Sequence, residues 1–256
     1  QFLEELLLDS PQEDGAFLPS FVESEKKNLI ATIESERNDK RAYSMNRLLR
    51  ILCREDTFGV PRLGEVEQVA KITPQSLQEH YQKILKTSPI EIFYVGSAEV
   101  QQVADLLKPL VTKLGPRNNC LEPQTAFHSC EKSDVVETMD VTQGKLCMGF
   151  VTPIINRGSD FAAMQLLNVI YGSGMTSKLF MNVREKLSLC YDISSGFNSS
   201  KGLLTVTAGI DCDKVALTRQ EIMNQLKAEW GTVGELTYPP QNHTISIPNI
   251  VDCGDN

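Results

Sequence analysis

A catalytic zinc site needs three converging protein ligands, two of them usually one helical turn apart. This chain has three histidines, His80, His128 and His243, and none lies within four residues of another. Glu79-His80 has the form of the tail of an H-x-x-E-H helix motif, but Ser76 stands where the first ligand would be. On ligand count the pair reads as an exposed patch on a helix whose inward face is Leu77, Tyr81 and Ile84. The seven cysteines offer neither C-x-x-C nor finger spacing, and Cys53, Cys147 and Cys190, set in apolar segments, read as small core hydrophobes. The loop from Gly172 to Lys178, GSGMTSK, superficially resembles a phosphate cradle. It departs from G-x-x-x-x-G-K-[ST]: Gly174 stands four residues before Lys178, no Ser or Thr follows the lysine, and the element before the loop reads as a helix rather than a strand. It reads as a helix–helix turn. A Ser or Cys nucleophile needs a base within reach, and three scattered histidines with no elbow motif lend no support to one.

The elements that must position these residues follow from apolar spacing. Ser20 and Glu23 have capping-box spacing ahead of a helix with Val22, Leu29, Ile30 and Ile33 on one face. Asn38-Asp39 breaks it, and a second helix follows with Ala42, Met45, Leu49 and Leu52 inward. Thr73 caps a third with Pro74 at its first position. Ile90 to Val95, IEIFYV, reads as a short buried strand, and Val100, Val103, Leu107, Leu110 and Leu114 repeat at helical spacing after it. Gly115 to Gln124 is polar, holds two prolines and is the best linker candidate. Beyond it, Val135–Val141 and Leu146–Val151 read as adjacent strands joined by a turn at Gln143-Gly144. Helices are expected over 160–171, 176–187 and 215–230, with strands over 191–197 and 203–210. The stretch after Thr232 has no period and contains Pro239-Pro240, so it finds no place. Strand pairs interleaved with helix pairs indicate an α+β fold, an antiparallel or mixed sheet covered by helices on one face. The divisions expected are 1–115, the latter part of a first domain, and 116–256, a second domain incomplete at its C-terminus.

With 256 residues, 41% apolar and 23% charged, the composition is globular. The net charge of −8 excludes a general affinity for nucleic acid or an anionic membrane surface. No apolar run approaches the ~20 residues that span a bilayer. The opening QFLEELLLDS lacks the basic start of a signal peptide, and the odd, scattered cysteines favour a reducing compartment; the expectation is a cytoplasmic chain.

The most specific segment is Gly172 to Tyr191, GSGMTSKLFMNVREKLSLCY. A small-residue loop, Ser-x-Leu-Phe, Arg-Glu-Lys and Leu-x-Tyr are carried here by Gly172, Gly174, Ser177, Leu179, Phe180, Arg184, Glu185, Lys186, Leu189 and Tyr191. It resembles the second-domain signature of the insulinase/pitrilysin-type peptidases, which include the mitochondrial processing peptidases. Many members have Gly where this chain has Ser188. The resemblance runs over roughly residues 10 to 230. Glu25-Lys26, Asn38-Asp39-Lys40 and Tyr43 resemble the branch that lacks zinc motifs and accompanies an active sister protein.

The resemblance implies a zinc site on a first-domain helix plus a downstream Glu, and Thr32 falls near that Glu position. A peptidase of this class needs zinc-bound water and a general base, so no metal or cofactor is expected in this chain, zinc being expected only in a catalytic partner or an upstream segment. The resemblance also implies that Arg184 and Tyr191 reach across to a partner's active site. A planar cationic fork and a phenol O–H could hold a peptide carbonyl and the oxyanion formed from it. Arg184 would sit in the last turns of a helix and Tyr191 on the strand leaving it, converging over one concave surface. The expected function is a non-catalytic subunit or fragment of a zinc metallopeptidase assembly, with a peptide substrate and a homologous catalytic subunit or self-dimer as partners. The alternatives are a structural scaffold of the same fold, or an active peptidase whose metal motif lies upstream.

Overall fold

The structure, a computed structural model, describes residues 2–116, 134–156, 158–232 and 249–253. In chain order the elements are helix α1 (Phe2–Leu8), a small hairpin of β1 (Gln12–Glu13) and β2 (Ala16–Phe17), then helices α2 (Pro19–Glu36), α3 (Lys40–Leu52), α4 (Val66–Ala70), α5 (Pro74–Thr87) and α6 (Val100–Leu114). Strands β3 (Val135–Met139) and β4 (Gly144–Val151), helix α7 (Phe161–Tyr171), a π-helix (Leu179–Lys186), strands β5 (Asp192–Asn198) and β6 (Leu203–Ile210), helix α8 (Val215–Thr232) and strand β7 (Asn249–Cys253) follow. Close backbone contacts group the chain into two units: Gln1–Ile33 with Leu63–Gln124, and Glu34–Arg62 with Thr125–Asn256.

The second unit is a five-stranded sheet in the order β3-β7-β4-β6-β5, antiparallel except that β3 and β7 run parallel. Alternation along β6 sends Leu204, Val206, Ala208 and Ile210 to one face, where they meet Leu146, Met148 and Phe150 of β4. Helices cover that face: Met164, Leu167 and Tyr171 from α7, Leu179 and Val183 from the π-helix, Ile222 and Leu226 from α8. Each such side chain, fully buried, is worth about 1.5–3 kcal/mol. Tyr171 meets the cost of a buried hydroxyl by donating to Ile222 O at 3.0 Å. The other face is covered too, by α3, whose Leu48 and Leu52 pack on Cys147 and Leu203. Asp39 caps α3, its carboxylate accepting from the N–H groups of Arg41 and Ala42. The Lys201–Asp56 pair, 2.7 Å apart and nearly solvent-free, ties the β5–β6 turn to the loop after α3. That turn carries Gly202 at φ +64, where a Cβ would lie 2.4 Å from Thr152 O.

The first unit is helical. Thr73 and Ser76 form a reciprocal capping box at the start of α5, behind Pro74. Tyr81 of α5 donates to Leu7 O and its ring stands 5.6 Å from that of Phe17.

Several expectations shift. Ile90–Val95 forms no strand: it is extended, exposed backbone, since a strand needs a neighbour to pair with. Strands β3 and β4 are not adjacent; β7, from the stretch that found no place in the sequence, lies between them. Helix α2 begins at Pro19, its first bonds returning to Leu18 O, and Glu23 binds Lys26 Nζ instead of capping. On α3 Leu52 is buried and Met45 and Leu49 pack half-buried on the same core as expected, but Ser44 and Leu48 are buried as well and Ala42 is exposed; on α5 Gln78 is buried and Ile84 exposed. Gly115 ends α6 with φ +76, and the linker candidate from residue 117 onward lies outside the described residues, as do His128 and His243. Cys53 and Cys147 are core residues, and burial lifts the Cys147 thiol to about 12 and the Cys190 thiol to about 11, so neither is a nucleophile at neutral pH. Cys212, outside that reading, is disulfide-bonded. Among the described residues no helix is long and apolar enough to cross a membrane.

Candidate functional site

The signature segment turns the chain from α7 into the sheet. Gly172 ends α7 against β5: its carbonyl accepts from Ser195 N at 3.0 Å, and a Cβ at this position would stand 2.5 Å from Ser195 Oγ. Only glycine lets the loop pass this close. Ser177 Oγ then donates to Gly174 O at 2.6 Å, holding the turn into the next helix. That helix has the π pitch, with Leu187 N donating to Asn182 O five residues back. It closes at Ser188, a non-glycine residue at φ +50.

The two residues singled out from the sequence lie side by side here. Arg184 is in the last turn of the π-helix, half exposed. Its Nε donates to the Tyr191 carbonyl at 2.7 Å, its Nη1 to Glu185 Oε1 at 2.6 Å, and its guanidinium carbon stands 4.6 Å from the centre of the Phe180 ring. Tyr191 precedes β5 and joins the sheet by donating its N–H to Gly209 O at 2.8 Å. Its hydroxyl donates to Asp211 Oδ1 at 2.6 Å, while Lys214 Nζ reaches Asp211 Oδ2 at 2.9 Å. Asp211 and Lys214 escaped the sequence reading, because the only signal is their place just past β6, whose register with β5 sets Gly209 opposite Asp192.

Electrostatics follow the bonds. The Tyr191–Asp211 hydrogen bond pushes the phenol above its ordinary range and, with Lys214, holds the Asp211 carboxyl below the usual carboxylate range; Asp211 in turn raises Lys214. At neutral pH the phenol keeps its proton, spends it on Asp211 and turns lone pairs to solvent. Arg184 Nη2 has no partner among the described residues. The corner therefore presents the N–H groups of one guanidinium nitrogen, Nη2, and one acceptor oxygen.

Three of the described residues weighed from the sequence for a zinc site are engaged elsewhere. Among the described residues no three His, Cys, Asp or Glu side chains come together. Glu79 accepts from Gln75, Ser76 is committed to the capping box, and Thr32 Oγ1 donates to Asn28 O.

A cavity of about 360 Å³ in the second unit lies away from the corner, lined by Arg41, Met45, Ser194 and Thr207 among others. Arg41 donates to Ser194 Oγ there at 3.1 Å, and Ser194 and Thr207 share a hydroxyl contact at 3.2 Å.

Comparison with known proteins matches residues 71–231 to the family model described as Peptidase M16 inactive domain. The probable inactive metalloprotease YmfF of Bacillus subtilis is 32% identical over 228 residues, 89% of this chain and 54% of that protein. A conserved protein from Enterococcus faecalis V583 superposes with a TM-score of 0.79 at 30% identity, over 92% of this chain and 56% of its own. A peptidase M16 inactive domain from Pseudomonas fluorescens superposes at 0.67 with 19% identity, over 89% and 54%. The chain thus spans about half the length of the relatives it matches. With that match, and with the Gly172-to-Tyr191 segment folded around the sheet as described, the chain belongs to the M16 peptidase inactive-domain family.

Proposed function

We propose that this chain is the non-catalytic part of an M16 peptidase assembly, holding an extended peptide for a homologous subunit or segment that bears the metal. The observation that carries the reading is the exposed corner of Arg184, Tyr191, Asp211 and Lys214. Four polar side chains are fixed by hydrogen bonds of 2.6–2.9 Å, yet Arg184 Nη2 and the Tyr191 lone pairs face outward. A peptide unit offers the complements: a carbonyl for the guanidinium and an N–H for the phenol oxygen. When an oxyanion forms in the partner's site, the same phenol can turn its proton from Asp211 to it.

One observation favours the scaffold reading instead. Arg184 already braces the chain at Tyr191, and Tyr191 already braces Asp211, so both have a structural use without any substrate. Reconstitution with a relative bearing an intact H-x-x-E-H motif separates the two. Tyr191→Phe should leave the circular dichroism unchanged and lower peptide cleavage by the pair ~10²–10³-fold, the usual cost of one oxyanion donor. An active pair indifferent to the substitution would establish the scaffold. Zinc-dependent cleavage by this chain joined to an upstream segment bearing an H-x-x-E-H motif, with no second protein, would establish the third possibility.

A further inference from the structure

The second unit holds a group of polar side chains that the signature segment does not use. Ser194 on β5 and Thr207 on β6 are register partners, and alternation puts both on the face of the sheet that α3 covers. The first turn of α3 does not close on them but leaves the cavity of about 360 Å³, within the range of small-ligand pockets. Arg41 Nη2 donates to Ser194 Oγ at 3.1 Å. That bond uses one of the two Nη2 protons, so one of the two donor forks of the guanidinium stays open. Asp39 lines the cavity as well. Its Oδ1 is spent on the N–H groups of Arg41 and Ala42, and its Oδ2 has no partner among the described residues. A cation and an anion thus line one cavity, and among the described residues neither forms an ion pair with the other or with a third charge. Thr207 is only 8% exposed, and it shares a single hydrogen bond of 3.2 Å with Ser194. Two hydroxyls bring two protons and that bond uses one, so a further donor is left over beside the guanidinium. Met45 and Ala42 supply the apolar part of the lining.

We infer that this cavity is a binding site for a zwitterionic α-amino acid or dipeptide with an apolar side chain. The open fork of Arg41 takes the carboxylate, with the spare hydroxyl proton as a further donor. Asp39 Oδ2 takes the α-ammonium. Met45, an adaptable thioether, and Ala42 receive the side chain. The pair of opposite charges on the wall decides the class of ligand. A phosphate or a simple carboxylate would leave Asp39 unmatched, and a simple amine would leave Arg41 unmatched. The cavity lies away from Arg184 and Tyr191, so the inference does not rest on the reading of that corner.

The experiment is titration calorimetry of the whole chain with L-leucine and with L-leucyl-L-leucine, the site being located by amide NMR shifts. Saturable binding should appear, with shifts at residues 39–45, 194–196 and 205–207. The tighter of the two probes tells whether the occupant is a free amino acid or a dipeptide. Isopentylamine, which lacks the carboxylate, and N-acetyl-L-leucine, which lacks the ammonium, should each bind about 10–100-fold more weakly, as the loss of a charge-assisted hydrogen bond implies. Asp39→Asn keeps the helix cap and removes its charge, and Arg41→Met keeps the aliphatic stem and removes the fork. Each should weaken leucine binding by the same about 10–100-fold with circular dichroism unchanged. Ala42→Trp, at an exposed position, fills the cavity and should abolish binding. No saturable binding of either probe overturns the inference. So does binding that Arg41→Met and Asp39→Asn leave undiminished, or equal affinity for the amine or the acetylated acid. Tyr191→Phe should leave the titration unchanged, which keeps a failure here apart from a failure of the proposed function.

Discussion

The two units spend similar apolar sequence with different returns. In the second, the sheet gives every helix a flat partner, and both apolar core clusters of the described residues lie there. In the first, the sheet among the described residues is only the two-stranded β1–β2 hairpin, which meets α5; the buried apolar residues there are Val22, Val69 and Leu110, while Phe21, Phe93, Val95, Val100 and Leu106 stay in water. A helix stripe or a strand stabilises a fold only against a second layer. The difference teaches that hydrophobic spacing specifies a face, and that the face stabilises the fold only where a second layer receives it, as the sheet receives α3.

The sharpest way to break this contrast is to attack the second unit where it is most committed. Lys201→Met leaves Asp56 charged and buried, and should cost about 3–5 kcal/mol in urea unfolding, as one-sided removal of a buried pair does. Leu48→Ala, in the α3 layer, should cost about 2–5 kcal/mol. The first unit should respond less. Thr73→Ala removes the α5 cap and should cost about 1 kcal/mol, read as faster amide exchange confined to α5. If Leu48→Ala and Thr73→Ala proved equally damaging, the contrast would collapse.

Much of the second unit could be read in one dimension. β6 runs over Leu203–Ile210 as its apolar run indicates, because a central strand is paired on both sides and its residues have no competing use. Arg184 and Tyr191 were found through the Gly172-to-Tyr191 segment, yet their bonds were not legible: Asp211 lies twenty residues beyond Tyr191, and only the β5–β6 register brings them together. Ile90–Val95 has every local mark of a strand and is not one for a tertiary reason, the lack of a pairing neighbour among the described residues. The packing of α3 on β4 is equally invisible, since an amphipathic helix does not encode which surface will receive it.

Smaller effects sharpen the picture of the site. Ser188→Gly relieves a left-handed backbone that costs a residue with a Cβ about 1–2 kcal/mol, offset by about 0.5–1 kcal/mol of glycine's chain entropy. A net gain of up to about 1 kcal/mol should appear as a raised urea midpoint. The smallest effect is in pH. Tyr191 has a raised folded pKa, so its contribution is complete below the phenol's ordinary value near 10 and fades as pH climbs through the raised one. Asp211 has a lowered folded pKa, so its contribution is complete above the ordinary carboxylate value and fades as pH falls through the lowered one. Absorbance near 295 nm should show one late-titrating phenol in the native chain, and Asp211→Asn should bring it back to the ordinary range.

The π-helix has a consequence for how the segment tolerates length change. Five-back bonding fits one more residue into the same axial span than an α-helix would. The surplus is absorbed between Leu179 and Lys186, where Leu179 and Val183 stay in the core and the register of β5 on β6 is undisturbed. Deleting the half-exposed Met181 would let the helix relax to ordinary pitch without touching the sheet. It would also swing the helical residues between the deletion and Ser188 about 100° around the axis, carrying Arg184 off the Tyr191 carbonyl and the Phe180 ring. One residue of slack is what aims the guanidinium, so a relative that lost it could keep the whole fold and still have its corner facing the wrong way.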